Sequence, residues 1–267
     1  MDLSQVKLVV SDMDGTLLNS NHEVSNLFLE QFKTLKKHNI LFVAASGRPY
    51  YSIVEKLKSI KNDIIVVAEN GGLVIQNNKQ ILSTPIDRGN LFEIEKIIDA
   101  NNHIHPVFCT KSKGYFKSNS FGYISVLSEY YPKFKVIDNI EEIDEEIMKI
   151  ALYHSEDSEK HIYPLVKFLE NKYAIKISGK NWLDISDHLA NKGHAIKLLQ
   201  ETFNISEKET MAFGDYNNDL EMLSLAKYSF AMKNAHDNVK EVANYETKSN
   251  NDLGVEHIIA KLLDTKN

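Results

Sequence analysis

The chain has 267 residues, more than one compact domain usually needs and too few for three, so one core interrupted by an inserted domain suits its length. Hydrophobic residues make up 43% and charged residues 25%, the balance of a well-packed globule, and no apolar run approaches the roughly 18 residues that span a bilayer, which excludes a membrane protein. The net charge of -6 argues against a nucleic-acid footprint, and the single cysteine, Cys109, rules out an internal disulfide or a multi-cysteine zinc site and suits a reducing, cytoplasmic setting.

The opening MDLSQVKLVVSD places a short apolar stretch between acidic residues and lacks the small-residue cleavage site of a signal peptide, which predicts no export. VKLVV reads as a buried strand that runs straight into SDMDGTLLNS. A helix is predicted over about residues 24–38, then a strand at ILFVAA, a helix carrying Ile53, Val54, Leu57 and Ile60, and a strand at DIIVVA before ENGG. Continuous apolar strands alternating with helices predict βαβ units and a parallel sheet covered on both faces.

LVIQNNKQILS then reads as a hairpin turning at Asn77 and Asn78, and residues 85–187 mix amphipathic helices with alternating strands such as KIALYH and AIKISGKNWLDIS. That stretch is expected to be an inserted α+β domain. Within it the basic, aromatic KSKGYFK reads as a solvated hairpin or loop, because it lacks the extended positive surface that phosphate backbones require, and Trp182 reads as core of the insert. In HIHPVFC, His103 and His105 share a face if the segment is a strand, with Cys109 beyond them; zinc binding lacks an evident fourth ligand, and packing or pocket lining is the commoner use. The first pattern resumes with a helix after Gly193, a strand at TMAF, a helix from about Asp219, a strand at YSFAM, and a terminal helix bearing Val255, Ile258, Ile259 and Leu262. Residues 1–84 and 188–267 are therefore expected to form one α/β core around the insert at 85–187.

In open parallel sheets ligands bind beyond the carboxyl ends of the strands. The residues there are Asp12, Asp14 and Thr16 after the first strand, Ser46, Gly47 and Arg48 after the second, and Gly214, Asp215, Asn218 and Asp219 after the strand that follows the insert. Lys192 stands beside a helix start in LANKGHA. Four carboxylates at one sheet edge repel one another, and a divalent cation relieves the repulsion; all-oxygen ligands and a phosphate partner favour Mg²⁺. Ser46 and Lys192 would supply a donor and a positive charge for phosphoryl oxygens.

Taken singly these residues have plainer readings. Asp-x-Asp-Gly is often a turn, Ser46 could cap a helix, and Lys192 could lie on the surface. Arg48 could face substrate or sit in a surface salt bridge. Asp215, Asn217 and Asp219 match the first, third and fifth positions of a calcium loop, but Leu220 and Ala226 occupy the positions where that loop needs Gly and Glu. Neither GxxxxGK[ST] nor GxGxxG occurs, so ATP or NAD use has no support.

The set DMDGT, AASGRP, NKGHA and GDYNND, in this order and each at a strand end or helix start, resembles the four motifs of the haloacid dehalogenase (HAD) superfamily of phosphatases, in its Cof-like branch with a type IIB cap; ENGG, AMKNA and NDLGVEHI are softer matches. The resemblance implies a Rossmann-like core with an α+β cap. It implies that Asp12 is a nucleophile forming an aspartyl phosphate, that Asp14 is the acid-base residue, and that Mg²⁺ is held by Asp12, the Asp14 carbonyl and Asp215, with Asp219 acting directly or through water. Backbone amides near Met13 and Gly47, with Ser46, Lys192 and Asn218, would hold the phosphate oxygens. The expected substrate is a small phosphorylated metabolite such as a sugar or cofactor phosphate. A phosphomutase or phosphotransferase using the same intermediate, and a binding module without catalysis, are the alternatives. The cap matches in size and position only, so neither the substrate nor the oligomeric state is legible.

Overall fold

The structure, a computed structural model, describes residues 2–266. The strands in chain order are β1 (Leu8–Asp12), β2 (Leu41–Ala45), β3 (Ile65–Ala68), β4 (Leu73–Gln76), β5 (Lys79–Ser83), β6 (His105–Thr110), β7 (Gly114–Lys117), β8 (Phe134–Ile137), β9 (Ile147–Tyr153), β10 (Ala174–Gly179), β11 (Trp182–Ser186), β12 (Thr210–Gly214), β13 (Tyr228–Ala231) and β14 (Tyr245–Glu246). They form an eight-stranded sheet, ordered β14-β13-β12-β1-β2-β3-β4-β5, and a six-stranded sheet, ordered β10-β11-β9-β6-β7-β8. The chain divides into two compact units, one of residues 2–48, 53–82 and 191–266 and one of 49–52 and 83–190.

In the first unit β1, β2, β3, β12, β13 and β14 run parallel, and β4 joins antiparallel to β3. Every residue of β1, β3, β12 and β13 is buried, as strands covered on both faces must be. Helix Asn26–Lys37 starts at Ser25, whose hydroxyl accepts from the Phe28 amide, and buries Phe28, Phe32 and Leu35 at helical spacing. It packs on the last helix, Gly254–Asp264, whose buried stripe is Val255, Ile258, Ile259 and Leu262. The expected hairpin is β4 and β5, and Asn77 and Asn78 turn it at φ values of 50° and 62°, the left-handed pair of a tight two-residue turn.

Three local expectations are corrected. KSKGYFK does turn a hairpin from β6 into β7, but Gly114, Tyr115, Phe116 and Lys117 are the buried strand β7 and not a solvated loop, because the Tyr115 and Phe116 side chains pack on opposite faces of the sheet. The helix carrying Ile53 and Val54 is short, Tyr50–Lys56; Leu57 and Ile60 stay buried but lie in successive turns, closed by the Ile60 amide on the Leu57 carbonyl and the Asp63 amide on the Ile60 carbonyl. His103 and His105 do not share a strand face, because β6 begins at His105 and His103 is exposed in the preceding turn. The two-residue strand β14 and the short helix Asp237–Val242 carry no legible pattern.

The second unit is an antiparallel sheet, except that β7 and β8 pair in parallel. Side chains alternate between its faces. Phe108, Ile150 and Leu183 meet Leu91, Ile94 and Ile98 of helix Leu91–Asp99 on one face. Val107, Cys109, Phe116 and Trp182 meet Leu127 of helix Ile124–Tyr130 on the other. His105 is buried on that second face, stacked 3.8 Å from the Tyr123 ring with Nδ1 3.2 Å from the Ser120 hydroxyl, a packing role.

Candidate active site

The strand order of the eight-stranded sheet reverses at β1: from it the chain proceeds to β2 on one side, and after the insert it returns to β12 on the other. A crevice opens at the carboxyl end of a strand in that position. Asp12 is the last residue of β1, and the chain turns away at once through Gly15, whose φ is +77°. A side chain at residue 15 would be strained by that φ, and its Cβ would stand 2.2 Å from an Asp215 carboxylate oxygen. Glycine there lets the loop after β12 close against the loop after β1, and the Thr16 hydroxyl fixes the contact by donating to Asp215 Oδ1 at 3.0 Å.

Asp12, Asp215 and Asp219 each offer a carboxylate oxygen, all within 4.8 Å of one another. Lys192, the first residue of helix Lys192–Phe203, turns its fully buried ammonium into this group, 2.5 Å from Asp12 Oδ1 and 2.6 Å from Asp219 Oδ1. The other Asp219 oxygen accepts from the Asp215 and Tyr216 amides at 2.9 and 3.1 Å. Asp219 therefore anchors Lys192 and the loop that carries Asp215. Burial, only partly offset by Lys192 and reinforced by Asp219 and Asp215, pushes the Asp12 carboxyl well above the usual range. Burial and then Asp219 push Asp215 up to about 6, against the Thr16 hydrogen bond. Burial disfavours the Lys192 ammonium, but Asp12 and Asp219 outweigh it and hold the side chain charged. Three carboxylates thus face one ammonium. An all-oxygen donor set short of positive charge fits a hard divalent cation.

Asp14 faces a different partner. Arg48 grips it bidentately, Nε to Oδ2 and Nη2 to Oδ1 at 2.6 Å each, and His22 Nδ1 lies 3.0 Å from Oδ1. Partial burial would raise the Asp14 carboxyl, but the Arg48 hydrogen bonds and charge, helped by His22, hold it below the usual range. Ser46 is buried at the end of β2; its hydroxyl accepts from the Arg48 amide at 3.1 Å and its own amide donates to the Val67 carbonyl. Gly47 follows it, against the Asn70 side chain. Met13 is buried beside Asp12, and its carbonyl accepts from the Thr16 and Leu18 amides. Asn218 donates its side-chain amide to Asn70 Oδ1 at 3.0 Å.

Asp12, Lys192, Asp215 and Asp219 thus share one cluster, and Asp14, Ser46, Gly47, Met13 and Asn218 lie on the loops around it. The plain readings of Lys192 as a surface side chain and Ser46 as a helix cap do not describe these positions. Sequence reasoning gave no role to His22, to Asn70, or to Asn191, whose side chain caps the Lys192 helix by accepting from the His194 amide at 2.7 Å. Asn70 had a signal in its place two residues after an apolar strand; His22 had none.

The model of the haloacid dehalogenase-like hydrolases matches residues 9–259. The chain belongs to that family. It is 29% identical over 261 residues to the 5-amino-6-(5-phospho-D-ribitylamino)uracil phosphatase YbjI of Escherichia coli K12, covering 97% of this chain and 96% of that one. A solved protein of Streptococcus mutans UA159 superimposes with a TM-score of 0.86 at 32% identity, over 97% of this chain and 99% of its own. The HAD subclass IIB sugar phosphatase BT4131 superimposes with a TM-score of 0.79 over 96% of this chain and 98% of its own; at 20% identity it shows the fold, an α/β core with a IIB cap. As an HAD hydrolase of this branch, the chain is a phosphatase. Among the described residues no helix is long and apolar enough to cross a membrane.

Proposed function

We propose that the protein hydrolyses small phosphorylated metabolites, with Mg²⁺ as cofactor and an aspartyl phosphate on Asp12 as intermediate. The observation that carries this reading is the cluster of Asp12, Asp215 and Asp219 around a single buried ammonium at the end of β1. The substrate class follows the relatives: two are by name 5-amino-6-(5-phospho-D-ribitylamino)uracil phosphatases, and BT4131 is a sugar phosphatase. A phosphomonoester of a small polyhydroxylated metabolite is common to both. Residues 83–190 would act as the cap that selects it.

Asp12, Asp215 and the Asp14 backbone carbonyl would hold Mg²⁺, which when bound supplies charge neutralisation at the phosphoryl oxygens. In the first step an Asp12 carboxylate oxygen attacks phosphorus, the ester P–O bond breaks, and Asp14 gives its proton to the departing oxygen. In the second, water attacks phosphorus, loses its proton to Asp14, and frees Asp12 and inorganic phosphate. Lys192 steadies Asp12 as a carboxylate against its acidic neighbours, while Ser46, Asn218 and the Met13 and Gly47 amides hold the phosphoryl oxygens in line. Asp14 can serve as an acid only after the Arg48 fork loosens, since that pairing favours its charged form. An incoming phosphate competes for the same guanidinium.

The test is phosphate release from a panel of phosphomonoesters, including 5-amino-6-(5-phospho-D-ribitylamino)uracil and hexose phosphates, with Mg²⁺ and with chelator. Metal-dependent release supports the reading. Consumption of substrate without free phosphate would instead indicate transfer to a second acceptor, and no reaction with any ester would overturn it.

A further inference from the structure

Resting on that reading, we infer that Asn70 is a positioning residue for phosphate binding, acting through Asn218. The segment after β3 holds three consecutive residues in the left-handed region: Glu69 at φ 50°, Asn70 at 56° and Gly71 at 106°. Asparagine adopts that conformation readily, whereas glutamate does so at a cost, and strained backbone of this kind persists where the surroundings determine it.

Those surroundings are the three loops that carry the phosphate-binding residues. Toward the loop after β2, the Asn70 amide donates to the Ser46 carbonyl at 2.9 Å and the Glu69 amide to the Arg48 carbonyl at 3.0 Å. A Cβ on Gly47 would lie 3.0 Å from Asn70 Oδ1, so the carboxamide fills the space beside that glycine. Toward the start of the Lys192 helix, a Cβ on Gly71 would stand 2.2 Å from the Asn191 carbonyl oxygen, so only glycine lets the turn approach it. Toward the loop after β12, Asn70 Oδ1 accepts from Asn218 Nδ2 at 3.0 Å.

The last contact gives the turn a chemical consequence. An asparagine carboxamide can present either its oxygen or its NH₂ to a ligand, and only the NH₂ suits a phosphate. By accepting one N–H of Asn218, Asn70 fixes which way that amide faces and leaves its second N–H to donate. Its backbone bond to Ser46 sets the other donor in the same framework. Asn70 thus orients without touching the substrate.

The experiment uses full-length Asn70→Gly, which keeps the left-handed backbone and removes the carboxamide, together with Asn218→Ala and the double variant. The readouts are kcat/KM for para-nitrophenyl phosphate with Mg²⁺ and the melting shift produced by orthovanadate. We expect Asn70→Gly to lower kcat/KM about tenfold and to shrink the vanadate shift. In that background Asn218→Ala should cost no more than about twofold further, because the two residues act as one unit. If Asn70→Gly folds poorly, Asn70→Asp retains an acceptor for Asn218 and a residue that tolerates the same φ; in that background Asn218→Ala should cost as much as it does in the native sequence. An Asn70→Gly variant with native kcat/KM, or losses that multiply in the double variant, would overturn the inference alone. Native protein that neither hydrolyses the ester nor responds to vanadate would overturn the phosphatase reading and this inference with it.

Discussion

Replacing Lys192 with Met keeps an unbranched side chain one atom shorter and removes its charge from the centre of the carboxylate cluster. The ammonium lies 2.5 and 2.6 Å from Asp12 and Asp219 and is fully buried. At an effective dielectric near 20, each contact is worth about 6 kcal/mol of Coulomb energy. Desolvation of the three ions offsets most of that sum, and removing one partner from a buried pair leaves a loss of about 3–5 kcal/mol. Without the ammonium, burial and the neighbouring carboxylates hold on Asp12 a proton that the unfolded chain releases, so the deficit grows as pH rises. Urea unfolding of Lys192→Met in chelator should show most of the loss at pH 7.5 and a smaller one at pH 5, and Mg²⁺ should recover part of it at pH 7.5. A variant as stable as the native protein at pH 7.5 without metal would refute the charge accounting of the cluster.

Asp12→Asn should abolish phosphate release while raising or preserving the melting temperature, because it removes the nucleophile and eases crowding; residual turnover by pure variant would count against the assignment. Asp14→Asn should slow alkyl phosphates more than aryl phosphates, whose leaving groups need less protonation, and equal losses would contradict an acid role. Chelator should silence the enzyme, Mg²⁺ should restore it and Ca²⁺ should bind with little restoration, since Ca²⁺ accepts more ligands at longer distances. With Asp215 held near 6 in the metal-free protein, protons compete with metal below that pH, so calorimetry should find Mg²⁺ affinity falling from pH 7.5 to pH 5; a flat profile would exclude Asp215 as a ligand. Gly15→Ala drives a methyl group toward Asp215, and should raise the Mg²⁺ concentration needed for half-maximal activity; an unchanged requirement would mean that the two loops can part without consequence.

The core was legible because a parallel strand covered on both faces must be an unbroken apolar run, and its end is where polar groups can first reach water. LVV followed by Ser11 and Asp12, and TMAF followed by Gly214 and Asp215, show both halves of that rule. The cluster of Asp12, Lys192, Asp215 and Asp219 was visible as residue types, the carboxylates at or after strand ends and Lys192 at a helix start. The division of labour within it was not, because it depends on which oxygen of Asp219 faces the Lys192 ammonium and which faces the backbone of its own loop. The Arg48 grip on Asp14 joins residues 34 positions apart through the bend of two loops, and no local pattern encodes it. His103 fell outside β6 because alternation does not mark where a strand begins, and Leu57 and Ile60 satisfy helical spacing while lying in turns.

The central claim is that phosphorus is transferred to Asp12, and trapping that bond tests it most directly. Protein mixed with excess substrate and Mg²⁺, quenched in acid and reduced with borohydride should carry homoserine at residue 12, because an acyl phosphate is reduced where a free carboxylate is not. Omitting substrate should abolish the mark, and tandem mass spectrometry locates it. Homoserine at residue 12 only after exposure to substrate is the predicted result. An unmodified Asp12 in protein that turns over the same substrate under the same conditions would contradict the account.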